Sequence, residues 1–232
     1  MPVGRRIYQK VDRPDPSLVE RFANIPVTNI SDVLGGMACV DSGIRPLNNV
    51  NLAGTAITVK APFGEGTFLF HMALDIAQPG DVIVVDAGGC TERSVGGEGM
   101  MLYARNKGIR GFVVDGALRD SGATSELSDF AVYTKAIQGN AQKAANTGEI
   151  NVPVSIGGVV VFPGDIIRGD EDGIVVIHSY DAANVIDEVE TFAEKDREKN
   201  QQSGDGTLDH SWVRKVFEEK GFEFLDKAWD EE

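Results

Sequence analysis

The chain has 232 residues, with 22 basic against 36 acidic side chains and a formal charge of −14. That balance argues against a binder of nucleic-acid phosphates, whose affinity rests on clustered Lys and Arg, and against docking on an anionic membrane surface. With 42% hydrophobic residues and no apolar run near the roughly 18 residues of a spanning helix, one large globular domain with a tail is expected.

The opening MPVGRRIYQKVDRPDP carries no secretory apolar core. Two cysteines, Cys39 and Cys90, cannot build a disulfide framework, so a cytoplasmic setting is expected. His71, His178 and His210 lie far apart, and no HExxH or CxxC is present, which leaves a zinc site without support.

In chain order, SLVERFAN reads as a helix capped by Ser17, and NISDVLGG as a second, capped by Thr28 or Asn29 and stopped at Gly35-Gly36. NLAGTAITVKA (51–61) alternates and is β-branched, as a strand should be. TFLFHMALDIA (67–77) has helical periodicity, and His71 falls on its apolar side as a core or edge histidine. DVIVVDAGG (81–89), GGEGMMLYARNKG (96–108) and IRGFVVDG (109–116) read as strand, helix and parallel strand, a βαβ unit. Ligands of such sheets bind beyond the carboxyl ends of the strands, where Asp86, Asp115 and residues 116–120 lie.

Further on, NVPVSIGGVVVFPGD (151–165) and DGIVVIHS (172–179) read as β. Pro-Gly-Asp recurs before apolar runs at 79–81 and 163–165, as a type II turn would require. DAANVIDEVETFAEKDREKN (181–200) is an amphipathic helix with Val185, Ile186, Val189, Phe192 and Ala193 on one stripe. QQSGDG breaks it before a second short helical arm. The expected organisation is a domain over residues 1–180 and a helical arm over 181–232 that packs on a neighbouring subunit.

The sharpest chemical feature is VVDGALRD (113–120). Arg119 offers a planar fork for a carboxylate or α-keto acid, and Asp120 a hard oxygen ligand for Mg²⁺ or a similar ion. GGEGM (96–100) stands at the entrance of the crossover helix, where unsatisfied N–H groups attract anions. The βαβ geometry brings that helix end towards Arg119 and Asp120. Phosphate-loop and dinucleotide motifs are absent, and Lys60 is a solvated strand end.

The run GGEGMMLYARNKGIRGFVVDGALRD resembles the RraA-like family, which includes class II 4-hydroxy-4-methyl-2-oxoglutarate/4-carboxy-4-hydroxy-2-oxoadipate aldolases. That family's signature is an acid, a twenty-residue spacer and Arg-Asp, matched by Glu98, residues 99–118 and Arg119-Asp120. The resemblance extends from about Asn29 to Val176. It implies an α/β fold of the swivelling β/β/α type, with stacked sheets, flanking helices and a C-terminal helical arm. It implies a homotrimer or dimer of trimers with sites between subunits.

Carried over by resemblance, Gly97, Glu98, Gly99 and Met100 contact substrate through backbone groups. Arg119 binds the pyruvyl carboxylate and carbonyl, and Asp120 ligates Mg²⁺ or Mn²⁺. Glu194, or else Glu198, is the acid that a neighbouring subunit's helix supplies. Glu98 stands where the family's aldolases carry Asp, one methylene shorter. The implied reaction is carbon–carbon cleavage of a 4-hydroxy-2-oxo diacid to pyruvate, its proton leaving through water held by Glu98 or Glu194. Oxaloacetate decarboxylation follows through the same pyruvate enolate. The alternative is a non-catalytic RraA-type regulator that binds an endoribonuclease. A methyltransferase reading finds no glycine-rich nucleoside site.

Overall fold

The computed structural model describes residues 3–140 and 147–231. The N-terminal stretch holds β1 (Arg5–Ile7), α1 (Pro16–Ala23), α2 (Val27–Val33), β2 (Arg45–Pro46) and β3 (Leu52–Lys60). The central unit follows as α3 (Thr67–Ile76), β4 (Asp81–Ser94), α4 (Glu98–Asn106), β5 (Gly111–Leu118), α5 (Ser121–Ser125) and β6 (Ala131–Ile137). The remaining strands are β7 (Gly148–Ile150), β8 (Val154–Ile156), β9 (Val159–Val161), β10 (Ile166–Asp170) and β11 (Gly173–Ile177). Two helices close the chain, α6 (Ser179–Asp205) and α7 (Ser211–Glu219). Two compact units divide at Ala193/Glu194. Among the described residues no helix is long and apolar enough to cross a membrane.

Strands β3, β4, β5 and β6 lie side by side and parallel, and the mixed sheet runs in the order β1-β7-β3-β4-β5-β6-β2. Strand β3 divides one edge: its Leu52–Thr55 half pairs with β10, and Val59–Lys60 pairs with β7. The expected βαβ unit is present as β4-α4-β5. Its strands are buried on both faces. Ile83 and Val85 enter the core under α3 and α4, while Val82 and Val84 enter the opposite core with the β8–β9 hairpin. This is the period-2 alternation of a strand covered on both sides, so all four positions from Val82 to Val85 are apolar. Phe70, Phe112 and Phe130 stack edge to face at 4.6 and 4.9 Å under the helices.

The helix starts differ from expectation. Asp15, not Ser17, caps α1, its carboxylate accepting from Ser17 N at 2.8 Å, with Pro16 in the first turn. Neither Thr28 nor Asn29 caps α2. That helix begins at Val27, whose N–H donates to Asp170 Oδ2 at 2.9 Å, a partner 143 residues away. The 151–165 segment divides at Gly157-Gly158, both at positive φ, into the β8–β9 hairpin, since only such residues make a two-residue turn of the required twist. Helix α6 runs through the expected break to Asp205 and stops at Gly206, φ 76°. Its buried face is Ala182, Ile186, Val189 and Ala193, with Phe192 turned outward. The two Pro-Gly-Asp turns are alike. Gly80 and Gly164 have φ of 92° and 94°, and Asp81 and Asp165 each accept from the N–H three residues back.

In the second unit α7 buries no residue. Arg214 lies over the Phe224 ring at 4.2 Å, and Phe217 meets Phe222 edge to face.

A buried polar knot joins the N-terminal helices to the sheet. Arg168 is 3% exposed and donates to the carbonyls of Ile25, Leu52 and Gly169, with Asp170 3.5 Å away. Burial presses the Arg168 guanidinium below its usual value, opposed by the Asp170 charge. Burial also pushes the Tyr133 phenol above its usual range, and its hydroxyl donates to the Asp170 carbonyl. Removing one partner of a buried ion pair strands the other. Asp170→Ala is therefore expected to cost about 3–5 kcal/mol, read as a lowered chemical-denaturation midpoint. Asp170→Asn, which can still accept from Val27 N, should cost less.

Candidate active site

Every residue of β5 is buried, and the chain leaves the core at Arg119. The strand end is fixed on two sides: Arg119 N donates to Gly96 O at 3.1 Å, and Gln138 N donates to Leu118 O at 2.9 Å. Asp120 follows in the left-handed region at φ 63°, a conformation that Asp tolerates better than most residues. Its carbonyl accepts from Thr124 N and starts α5. The turn leaves both charged side chains about half exposed, with Arg119 Nε 3.5 Å from Asp120 Oδ2.

The loop before α4 is built to meet that turn. Gly97 caps the helix with extended backbone, and Glu98 N donates to Asp120 Oδ2 at 3.0 Å. A Cβ on Gly97 would lie 2.3 Å from Asp120 Oδ2 and 2.9 Å from Arg119 Cγ, so only glycine permits this approach. Helix α3 is tied to the same loop by Thr67 Oγ1, which donates to Val95 O at 3.1 Å.

A cavity of ≈ 310 Å³ opens between these elements. It is lined by Thr67 and His71 of α3, Ser94 to Gly97, Gly99 and Met100, and Arg119 with Asp120. Of the first-turn N–H groups of α4, those of Glu98 and Met100 are taken by Asp120 and by Gly97 O. Those of Gly97 and Gly99 have no acceptor among the described residues and suit an anion at a helix N-terminus.

The structure thus brings together Gly97, Gly99, Met100, Arg119 and Asp120. Glu98 contributes its backbone here, but it borders an adjacent cavity of ≈ 210 Å³ with Met101, Leu102, Ala123, Thr124, Glu126 and Leu127. Glu194 and Glu198 are exposed on the part of α6 that belongs to the second unit. Asp86 and Asp115, expected at the strand ends, lie inside β4 and β5 because both strands continue past them, and they serve the backbone: Asp86 accepts from Gly88 N, and Asp115 from Gly157 N.

His71, expected in the core or at its edge, is exposed and lines the cavity. The buried side of α3 is Phe70, Ala73 and Leu74, and the next position round the helix faces outward. Its one legible signal was the four-residue spacing from Thr67, which puts both on one face. Ser94 carried no signal of its own, because the bulges in β4 decide where it falls.

Among the described residues no group of three or more Asp, Glu, His or Cys converges as a metal cage. Asp120 alone offers a carboxylate in the cavity, and the recorded hydrogen bond to it falls on Oδ2. Such a donor set fits a hard divalent ion that takes one carboxylate and completes its shell with water and substrate oxygens. It does not fit a zinc site of protein ligands.

The RraA-like family model, described as Aldolase/RraA, matches residues 27–176. A Halalkalibacterium halodurans protein named "Putative 4-hydroxy-4-methyl-2-oxoglutarate aldolase" is 38% identical over 191 residues, 82% of this chain and 90% of that protein. A Streptomyces coelicolor structure, described as an unusual member of the RNase ES inhibitor RraA protein family, aligns with a TM-score of 0.72 at 27% identity. That alignment covers 82% of this chain and all of the other. The RNA-processing inhibitor RraA from Thermus thermophilis aligns with a TM-score of 0.59 at 26% identity, over 66% of this chain and 92% of that one.

The two glycines at the start of α4 make opposite predictions. Gly97→Ala forces Asp120 and Arg119 aside and should destabilise by about 1–3 kcal/mol. Nothing lies within 4 Å of a Cβ on Gly99. Gly99→Ala should therefore stabilise, by up to about 1 kcal/mol. Thermal unfolding of both variants checks this; equal shifts would contradict the close approach at Gly97.

Proposed function

The chain belongs to the RraA-like family, and from that premise and the cavity's geometry we propose that it is a class II pyruvate aldolase. It cleaves 4-hydroxy-4-methyl-2-oxoglutarate or 4-carboxy-4-hydroxy-2-oxoadipate to pyruvate plus pyruvate or oxaloacetate. It also decarboxylates oxaloacetate. The observation that carries this reading is the placement of Arg119, Asp120 and the two unbonded N–H groups of Gly97 and Gly99 on one cavity.

In this reading Arg119 holds the pyruvyl carboxylate in its planar fork and faces the charge that grows on the 2-oxo oxygen. The Gly97 and Gly99 N–H groups fix the carboxyl end against the start of α4. Asp120 holds Mg²⁺ or Mn²⁺, and the ion when bound supplies further stabilisation of that developing charge. Glu98 N, by donating to Asp120 Oδ2, fixes the carboxylate's rotamer. Breaking C3–C4, or losing CO₂ from oxaloacetate, leaves the same pyruvate enolate. Glu194, with Glu198 as its alternative, enters from a neighbouring subunit of a homotrimer or dimer of trimers. There it holds the water that takes the C4 hydroxyl proton. Of the arm over 181–232, the part from Glu194 onwards is the element that makes this contact, since Ala182, Ile186, Val189 and Ala193 are buried in the chain's own core.

The likeness to the Streptomyces and Thermus proteins favours a second reading, a protein-binding regulator of an endoribonuclease without catalysis. Against it stands the intact Arg119-Asp120 pair at the cavity.

Pyruvate release from 4-hydroxy-4-methyl-2-oxoglutarate and from oxaloacetate, coupled to lactate dehydrogenase, tests the proposal. Turnover is expected with Mg²⁺ or Mn²⁺ and is expected to vanish in EDTA. Asp120→Ala and Arg119→Lys should each lower kcat/KM by about 10²-fold or more. Full activity of Asp120→Ala, or turnover unchanged by EDTA, overturns the aldolase reading. Capture of a ribonuclease with no turnover of either substrate establishes the regulator.

A further inference from the structure

We propose that His71 is the acid that protonates C3 of the pyruvate enolate; this rests on the aldolase reading above. An enolate left after bond cleavage must take a proton at carbon before pyruvate can leave. The proton acceptor named above, Glu194, acts at the C4 hydroxyl, so this second transfer needs its own donor. The cavity wall contains three ionisable side chains, His71, Arg119 and Asp120. Arg119 is committed to the pyruvyl carboxylate as a hydrogen-bond donor. Asp120 is committed as an oxygen ligand. That leaves the His71 imidazole, the side chain type that most often serves as a general acid, as the one ionisable group on the wall without another task.

Its placement suits the task. His71 is one helical turn beyond Thr67, and the Thr67 hydroxyl anchors that turn to Val95 O in the loop that leads into Gly96 and Gly97. The ring therefore sits on the α3 wall, while Arg119 and Asp120 hold the wall that follows β5. Among the described residues His71 has no hydrogen-bond or ion-pair partner, so no structural bond must break for it to give up a proton.

The step balances. The imidazolium N–H bond breaks and its electron pair stays on nitrogen. The enolate π pair forms the new C3–H bond, C2–O⁻ becomes the ketone, and neutral imidazole regains a proton from solvent. In cleavage of the hydroxy diacid one proton has left O4 and one has reached C3. In decarboxylation CO₂ leaves and the same proton arrives.

The experiment follows hydrogen–deuterium exchange at the pyruvate methyl group in D₂O by NMR, with Mg²⁺, alongside oxaloacetate consumption by absorbance. The comparison is wild type against His71→Asn and His71→Gln. Wild type should do both. The variants should lose exchange by about 10²-fold or more, while oxaloacetate consumption falls far less, because carbon–carbon cleavage precedes this transfer. Added imidazole should restore exchange to His71→Asn. A structural role would lower both readouts together without rescue, and that outcome, or wild-type exchange in the variants, overturns the proposal. Wild-type protein that neither exchanges pyruvate nor consumes oxaloacetate overturns the aldolase reading itself.

Discussion

Nothing larger than hydrogen fits on the Cα of Gly97 while Asp120 keeps its carboxylate against Glu98 N. The cavity depends on that contact. Two backbone segments that leave neighbouring strands, the loop after β4 and the turn after β5, are held against each other by Arg119 N on Gly96 O and by the Asp120 carboxylate. Asp120 thus spends Oδ2 on a structural bond. Its positive φ is sustained because both neighbours of the turn are fixed, Leu118 by Gln138 and Thr124 by the Asp120 carbonyl.

The sheet supplies the rigidity that this arrangement needs. Strands β4 and β5 keep strict register from Val82/Gly111 to Asp86/Asp115, then lose it in two bulges before Ser94/Ala117. The first holds Gly88 and Gly89 at positive φ and the second falls between Cys90 and Ser94; together they let β4 run past the end of regular pairing and deliver Ser94 and Gly96 to the cavity. Far from the cavity, Arg168 and Asp170 do a different task. They satisfy the carbonyl of Ile25 and the N–H of Val27, so the turn between α1 and α2 is closed by the sheet and not by its own side chains.

What was legible in the sequence follows from this division. Local periodicity revealed β3, α3 and the β4-α4-β5 unit because each buries a face defined by its own spacing. That the glycines before α4 would meet the Arg119-Asp120 pair was legible too, since the βαβ connection brings the start of α4 to the end of β5. The α2 cap was not legible, because its acceptor is 143 residues away. Where Glu98 would lie was not legible either. A first-turn residue of α4 can face Asp120 or α5, and the tight Gly97 approach fills the first option. His71 was hidden by an apolar helix whose buried arc is narrower than its composition suggests.

The electrostatics of the cavity argue for the kind of ligand proposed. The whole chain carries −14, which repels a dianionic substrate at long range. Within the cavity Arg119 and Asp120 offset each other, so side chains alone leave little net attraction for a diacid. Two features reverse the sign locally. The start of α4 presents the Gly97 and Gly99 N–H groups, which have no acceptor among the described residues even though Asp120 takes the N–H of Glu98 between them. A divalent ion on Asp120 would turn that position from −1 to +1. A single carboxylate is then the better design than a cage of three, because each added acid would cancel the charge the ion brings and take an oxygen position that a 2-oxo acid can fill. In the proposed reading, the sparse donor set and the anionic substrate are therefore one constraint seen from two sides.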